Sequence, residues 1–159
     1  MKLTILSMNS DRKRVVFDTS SLVSAILNAK SLLALSVMYA FETCDIYLCQ
    51  ETFDELAEVI FRPKFNKYFS VKDTRLEFLE FIKLGAIPAE VTFTVTDCQD
   101  PKDNKFLALA RSVNAHFLVS SDKKHLLSMH PYHGISILNA REFYNVLFSA
   151  ESGDHPPLA

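Results

Sequence analysis

Short blocks of β-branched and aromatic residues alternate along this chain with longer stretches of helical spacing. Residues 14–17 (RVVF) form the first block and end at Asp18, and helical spacing follows over residues 20–28. Residues 31–41 (SLLALSVMYAF) are apolar nearly all round, as in a helix packed inside a protein, and residues 45–49 (DIYLC) read as a second strand. A helix over 52–61 puts Phe53, Leu56, Ala57 and Ile60 on one face and stops at Arg62-Pro63, because a residue before proline avoids helical angles. A helix over 66–84 offers Leu76, Leu79, Phe81 and Leu84 to the core, with Gly85 placed to end it. Residues 91–95 (VTFTV) alternate as a strand does, and 102–113 predict a helix with Phe106, Leu107, Leu109 and Ala110 inward. A strand at 116–119 (HFLV), a short helix at 123–127, a last strand at 135–138 (ISIL) and a last helix over 140–148 complete the series.

Parallel strands need crossover connections, so strands separated by helices predict an α/β fold with a parallel sheet covered on both faces. Ligands of such sheets gather at the carboxyl ends of the strands. The 159 residues suffice for one such unit, expected over residues 14–148, with an N-terminal extension at 1–13 and a tail at 149–159 that has little to bury and is expected to fray.

Composition narrows the picture in three ways. Hydrophobic residues at 48% and charged residues at 23% exclude a disordered chain, and 13 Phe against 3 Gly predict a Phe-rich core with short loops. A net charge of −2 argues against holding nucleic acid by bulk electrostatics, so any such contact must be local. The three cysteines, Cys44, Cys49 and Cys98, lack zinc-site spacing and read as reduced, buried thiols. The apolar run at 3–6 is too short for a signal-peptide core or a membrane span, and a cytoplasmic location without membrane contact is expected.

The candidate chemistry lies in acids at strand-to-helix junctions. Asp18 follows the first strand, Asp100 and Asp103 open a predicted helix, and Asp122 follows the 116–119 strand. Each also has a local explanation: Asp18 and Asp100 as helix N-caps, Asp103 as a dipole-favoured acid, Asp122 as a turn or cap. Glu55 stands three after Thr52, the spacing of a capping box, and shares a polar face with Glu51, Asp54 and Glu58, among which periodicity does not choose. At least three junctions of one sheet nevertheless carry carboxylates at the same end. Carboxylates brought together repel and raise each other's pKa, which makes sense if a divalent cation sits among them. Oxygen ligands favour Mg²⁺ or Mn²⁺, and such ions support phosphodiester hydrolysis by activating water. Phosphoryl transfer to Asp, as in receiver-like domains, needs a neighbouring acid pair that Asp18-Thr19-Ser20 lacks.

Four stretches, VVFDTSSLVSAIL (15–27), ELAEVIFRPKF (55–65), DPKDNKFLALA (100–110) and AHFLVSSDKKHLL (115–127), with GISILNAREF (134–143) as a weaker fifth, resemble the PIN-domain family, in particular the branch described as the toxin of a toxin–antitoxin pair. They run in family order over nearly the whole chain. The resemblance implies a three-layer α/β/α sandwich with a parallel sheet of four or five strands and a metal-dependent endoribonuclease cutting RNA, with a small antitoxin protein as partner and room for a homo-oligomer. It also selects Asp18, Glu55, Asp103 and Asp122 as the site acids, with Asp100 as a cap or outer ligand. Two departures stand out. Ser20 replaces the Asn usual after Asp-Thr and offers a hydroxyl of shorter reach, and Ser120-Ser121-Asp122 stands where relatives often have Thr-Gly-Asp. A catalytically impaired scaffold that binds RNA or a protein is therefore the alternative.

Basic and imidazole residues carry less. Arg62, Lys64, Lys67 and Lys72, interleaved with Phe65, Tyr68 and Phe69, form the best local patch for a phosphate backbone and stacked bases, and equally suit a solvated face. His130 and His133 read as a surface pair and His116 as a strand residue.

Overall fold

The computed structural model describes residues 12–151. The proposed extension up to residue 11 and the tail from residue 152 lie outside the described residues.

Five parallel strands, β1 (Arg14–Phe17), β2 (Asp45–Leu48), β3 (Ile87–Pro88), β4 (Phe117–Val119) and β5 (Ser136–Leu138), form one sheet in the order β3-β2-β1-β4-β5. The order reverses direction at β1, which therefore sits at the centre with β2 on one side and β4 on the other. This is the α/β architecture that the alternating pattern predicts.

Side-chain alternation sorts the core into two layers. Val15, Phe17, Ile46, Val119 and Leu138 face α1 (Thr19–Leu27), α2 (Leu32–Thr43), α3 (Gln50–Ile60), α4 (Arg75–Gly85) and α6 (Ala140–Glu151). Val16, Leu118 and Ile137 face α5 (Asn104–Ser112) on the other side, through Phe106, Leu107 and Leu109. The Phe-rich composition is spent mainly on the first layer. Phe17 meets Phe143 edge to face at 5.5 Å and stacks with Phe41 at 6.4 Å, while Phe41 packs on Phe81 at 5.0 Å. The three cysteines are buried and free.

The structure departs from the sequence expectation in three places. Residues 91–95 are not a strand; the edge position beside β2 is taken by β3, through the pairs Tyr47↔Ile87 and Leu48↔Pro88. Proline is tolerated there because an edge strand need not donate on both sides. The VTFTV segment instead runs across α5, where Thr92 N–H donates to Ser112 Oγ at 2.8 Å and Phe93 lies under the Arg111 guanidinium at 4.2 Å.

The helix expected over 66–84 is two elements, a 3-10 helix (Pro63–Phe69) and α4, because Arg75 is drawn inward at the junction. Its guanidinium is sandwiched between Phe61 and Phe69, each at 4.7 Å, and bonds Asp73 at 2.6 Å and Asn66 at 2.9 Å. Starting α4 at Arg75 sets its rotation so that Leu79 and Ile82 are buried while Leu76 and Leu84 are 69% and 83% exposed. Gly85 does end α4, but for a packing reason rather than a left-handed one: a Cβ there would lie 2.6 Å from the Phe41 ring. The short helix expected over 123–127 is a turn followed by a 3-10 helix (Leu127–Met129).

Among the described residues no single helix is long and apolar enough to cross a membrane. The apolar pair α1 and α2 is bent by 112° at its break and packs on the sheet.

The orientation of α4 and the aromatic layer give opposite expectations for two large side chains. Phe143→Ala should cost about 3–5 kcal/mol in urea unfolding, since it empties a fully buried ring site. Leu84→Ala should stay within about 0.5 kcal/mol of wild type; a loss at Leu84 comparable to that at Phe143 would contradict the rotation of α4.

Candidate functional site

The central strands β1 and β4 end side by side, joined by the pair Phe17↔Val119, and Asp18 N–H continues the ladder to Val119 O at 3.0 Å. The chain then turns into α1, for which Asp18 is the N-cap: its Oδ1 accepts Ser21 N–H at 2.8 Å. The capping role and the site role coincide in this residue. Asp18 is only 3% exposed, and its carboxylate is held by hydroxyls from the start of α1 and the end of β4. Ser120 Oγ donates to Oδ2 at 2.6 Å, and Ser20 Oγ lies 2.9 and 3.0 Å from Oδ1 and Oδ2. Ser121 Oγ in turn donates to Ser20 Oγ at 2.8 Å, and Asp122 N–H to Ser120 Oγ at 2.9 Å. Burial pushes the Asp18 carboxyl above its ordinary pKa, against the opposing pull of the hydrogen bonds from Ser120, Ser21 and Ser20. The serine that replaces the usual Asn thus still reaches the carboxylate.

Asp122 sits in the turn after β4. Its Oδ1 accepts Lys124 and His125 N–H at 3.1 and 3.2 Å, and its Oδ2 lies 3.0 Å from His125 Nδ1. Asp100 Oδ1 caps the 3-10 turn Pro101–Asp103 by accepting Lys102 N–H at 3.1 Å. That turn swings Asp103 toward Asp122. Asp103 Oδ2 is buried, and no hydrogen-bond donor reaches it among the described residues. Desolvation, then the hydrogen bond with Asp122 and its negative charge, then Asp100 and Asp18, push the Asp103 carboxyl up to about 7. Burial also works on Asp122, but the bonds from Asp103 and His125 outweigh it and hold that carboxyl below its ordinary range. The two carboxyls therefore titrate as a pair, with the crowding raising Asp103.

Glu55 comes from α3. The helix begins two residues before the expected Thr52, with Cys49 at its N-cap, and Thr52 Oγ1 accepts Cys49 N–H at 3.2 Å. Glu55 is thereby excluded from the cap and projects from the second turn toward α1 and α5. Its carboxylate accepts the Thr19 hydroxyl and pairs with Lys105 Nζ at 2.7 Å. Lys105 also donates to Lys102 O at 2.5 Å, which ties α5 to the turn that carries Asp103.

A cleft of about 510 Å³ opens over these groups and is lined by Asp18, Ser20, Glu55, Asp100, Asp103 and Asp122. Each candidate acid from the sequence, and Ser20 with them, therefore reaches one cavity at the carboxyl end of the sheet. Glu51, Asp54 and Glu58, from the same polar face of α3, do not line it. Arg62, Lys64 and Phe65 form another wall. The other half of the expected basic patch is used otherwise: Phe69 is buried beneath Arg75, and Lys67 lies over Tyr68 outside the lining.

The sequence reading passed over Lys105 and His125. Lys105 gives no local signal, because its partner Glu55 is fifty residues away. His125 had one, the three-residue interval from Asp122. Two other imidazoles are structural, His116 Nδ1 accepting Arg14 N–H at 3.0 Å and His130 Nδ1 accepting Ile137 N–H at 2.9 Å.

The donor set fits a hard divalent cation. It offers several carboxylate oxygens in one cleft, one of them buried and reached by no donor among the described residues, and a carboxyl raised by burial and by the charge of Asp122, which an ion would relieve. One group among them, Asp100, Asp103 and His125, brings a ligand atom from each residue within 4.8 Å of the others.

The family model described as PIN domain matches residues 14–124, more than half of the chain, and the chain belongs to that family. No curated protein matches it. PIN domains are generally metal-dependent nucleases.

The crowding of Asp103 fixes a pH dependence. Its folded pKa, about 7, lies above the ordinary value of 3.8, so between these the native chain holds a proton that the unfolded chain has lost. Stability attributable to Asp103 must then fall as pH rises from about 4 to about 7. In chelator, Asp103→Asn should gain melting temperature over wild type as pH is raised from 5 to 8. A difference that stays constant across that range would show that Asp103 carries no raised pKa.

Proposed function

We propose that this PIN-domain chain is an Mg²⁺- or Mn²⁺-dependent endoribonuclease and the toxin of a toxin–antitoxin pair. The observation that carries the nuclease reading is the cleft itself, which Asp18, Asp103 and Asp122 line together with Arg62, Lys64 and Phe65. The toxin role rests on the branch of the family that the four motif stretches resemble, with a small antitoxin as partner.

Asp18, Asp103 and Asp122 would hold the cation, with Glu55 and Asp100 at its margin. When bound, it neutralises phosphate charge and lowers the pKa of a water. The chain's own residues do the rest. Ser120, Ser20 and the Ser21 N–H fix both oxygens of Asp18, so the carboxylate does not swing when the cleft fills. Ser121 backs Ser20 and supplies the second-layer support that the shorter side chain needs. Lys105 and Thr19 hold Glu55 at the mouth and keep it from turning to solvent.

Arg62 and Lys64 give the RNA backbone a cationic rail in a chain of net charge −2, and Phe65 offers a ring to an unstacked base. With the scissile phosphate between rail and acids, a water attacks phosphorus in line with the departing 3′ oxygen. The P–O3′ bond breaks, leaving a 5′-phosphate and a 3′-hydroxyl. The cleft lining includes no histidine pair to act as acid and base on a ribose 2′-hydroxyl.

Mn²⁺-supplemented protein should cleave single-stranded RNA to 5′-phosphorylated fragments, and EDTA should stop it. Asp18→Asn should abolish turnover while RNA binding persists, and its expression should relieve the growth arrest expected of the wild-type toxin. A 2′,3′-cyclic phosphate product, or full activity in EDTA, would overturn the mechanism. RNA binding without cleavage would favour the impaired scaffold.

The rail makes a separate prediction. Arg62→Ala and Lys64→Ala should each weaken RNA binding and lower the slope of log affinity against log salt by about one. Unchanged salt slopes would remove both residues from the RNA path.

A further inference from the structure

His125 is not among the residues that line the cleft, but it groups with two that do, Asp100 and Asp103, and is the nitrogen donor of that group. It projects from the turn after β4, and three observations bear on its role. Its ligand atom lies within 4.8 Å of one carboxylate oxygen from Asp100 and one from Asp103. Its Nδ1 is 3.0 Å from Asp122 Oδ2, the carboxylate–imidazole pairing that sets the tautomer of metal-bound histidines and leaves Nε2 for the ion. Its backbone is fixed as well: His125 N–H donates to Asp122 Oδ1 at 3.2 Å, Leu127 N–H to Asp122 O at 3.1 Å, and the intervening Leu126 is fully buried. The imidazole is therefore presented from an anchored turn rather than a free loop.

A surface role for this histidine would need no such arrangement. The buried Asp103 Oδ2, which no donor reaches among the described residues, independently marks the same cluster as a place where a positive group is wanted.

We propose that His125 is a nitrogen ligand of the metal centre, standing with Asp100 and Asp103 and adding a nitrogen to the oxygens of Asp18, Asp103 and Asp122, which makes this a mixed nitrogen–oxygen site that favours Mn²⁺ over Mg²⁺. The inference rests on the reading of the cleft as a metal centre. Imidazole suits first-row transition ions, whereas Mg²⁺ is bound by oxygen and keeps its waters, so a histidine in the set biases the site toward the transition ion. Asp122 then has a task beyond holding the cation: its Oδ2 orients His125.

The test uses the full chain with Mn²⁺ alone, without RNA. Pulsed electron paramagnetic resonance of bound Mn²⁺ should show coupling to a ligated ¹⁴N, and His125→Asn, which keeps a donor for Asp122, should lose it. Calorimetry should find Mn²⁺ binding weakened by at least about tenfold in that variant, with Mg²⁺ binding changed much less. Circular dichroism and the metal-free melting temperature establish that the variant is folded, and His125→Gln serves as the second variant if it is not. Mn²⁺ bound without nitrogen coupling, or with equal affinity in wild type and variant, would overturn the role of His125 and leave the metal centre standing. Failure of the wild type to bind Mn²⁺ would overturn both.

Discussion

The carboxyl end of this sheet is organised around a carboxylate that has been taken out of water. Asp18 is buried at the junction of β1, β4 and α1, where an unsupported charge would be strongly disfavoured. It is tolerated because three groups donate to it: the Ser21 amide and the Ser20 hydroxyl from the start of α1, and the Ser120 hydroxyl from the end of β4. These bonds also tie β1 to the turn after β4, because Ser120 accepts the Asp122 amide while it donates to Asp18. Ser20 is itself held in this arrangement by the Ser121 hydroxyl, which donates to it at 2.8 Å.

Around that fixed point the remaining acids are spaced by structures that would exist without any ligand. Asp100 caps a 3-10 turn, Asp122 closes another turn, and Glu55 is freed for the cleft because Thr52 serves the start of α3. The cost of assembling them falls on Asp103, whose carboxyl is pushed up to about 7 by burial and its acid neighbours and which has a buried oxygen that no donor reaches among the described residues. Structures keep such local conflicts where a ligand relieves them. A divalent cation is the ligand whose charge and oxygen preference match.

The basic wall resolves an apparent contradiction in the composition. A chain of net charge −2 is a poor candidate for nucleic acid when judged by total charge. The fold brings the charges together locally: Arg62 and Lys64 line the same cleft as the acids, Arg62 in an exposed pair with Glu58 at 2.9 Å, while the less exposed Lys105 is held by Glu55. Arg75 is withdrawn altogether, used to join Phe61 and Phe69 ahead of α4.

Local pattern was enough for what local chemistry controls. The apolar alternation of 14–17 and 117–119, the stop at Arg62-Pro63 and the helical spacing of α5 gave the element series, and that series implied parallel strands with acids at their ends. Tertiary structure decided whatever depends on a partner distant in the chain. The VTFTV segment alternates like a strand, but Ile87 and Pro88 reach β2 first, so it lies on α5 instead. Leu76 and Leu84 have core spacing, but the burial of Arg75 turns them outward. Among Glu51, Asp54, Glu55 and Glu58, periodicity was silent, and only the packing of α3 beside α1 and α5 turned Glu55 to Thr19 and Lys105. The same holds for the raised Asp103 carboxyl and the placement of His125: hydrogen bonding and desolvation act through distances of a few ångströms, and those distances belong to the fold.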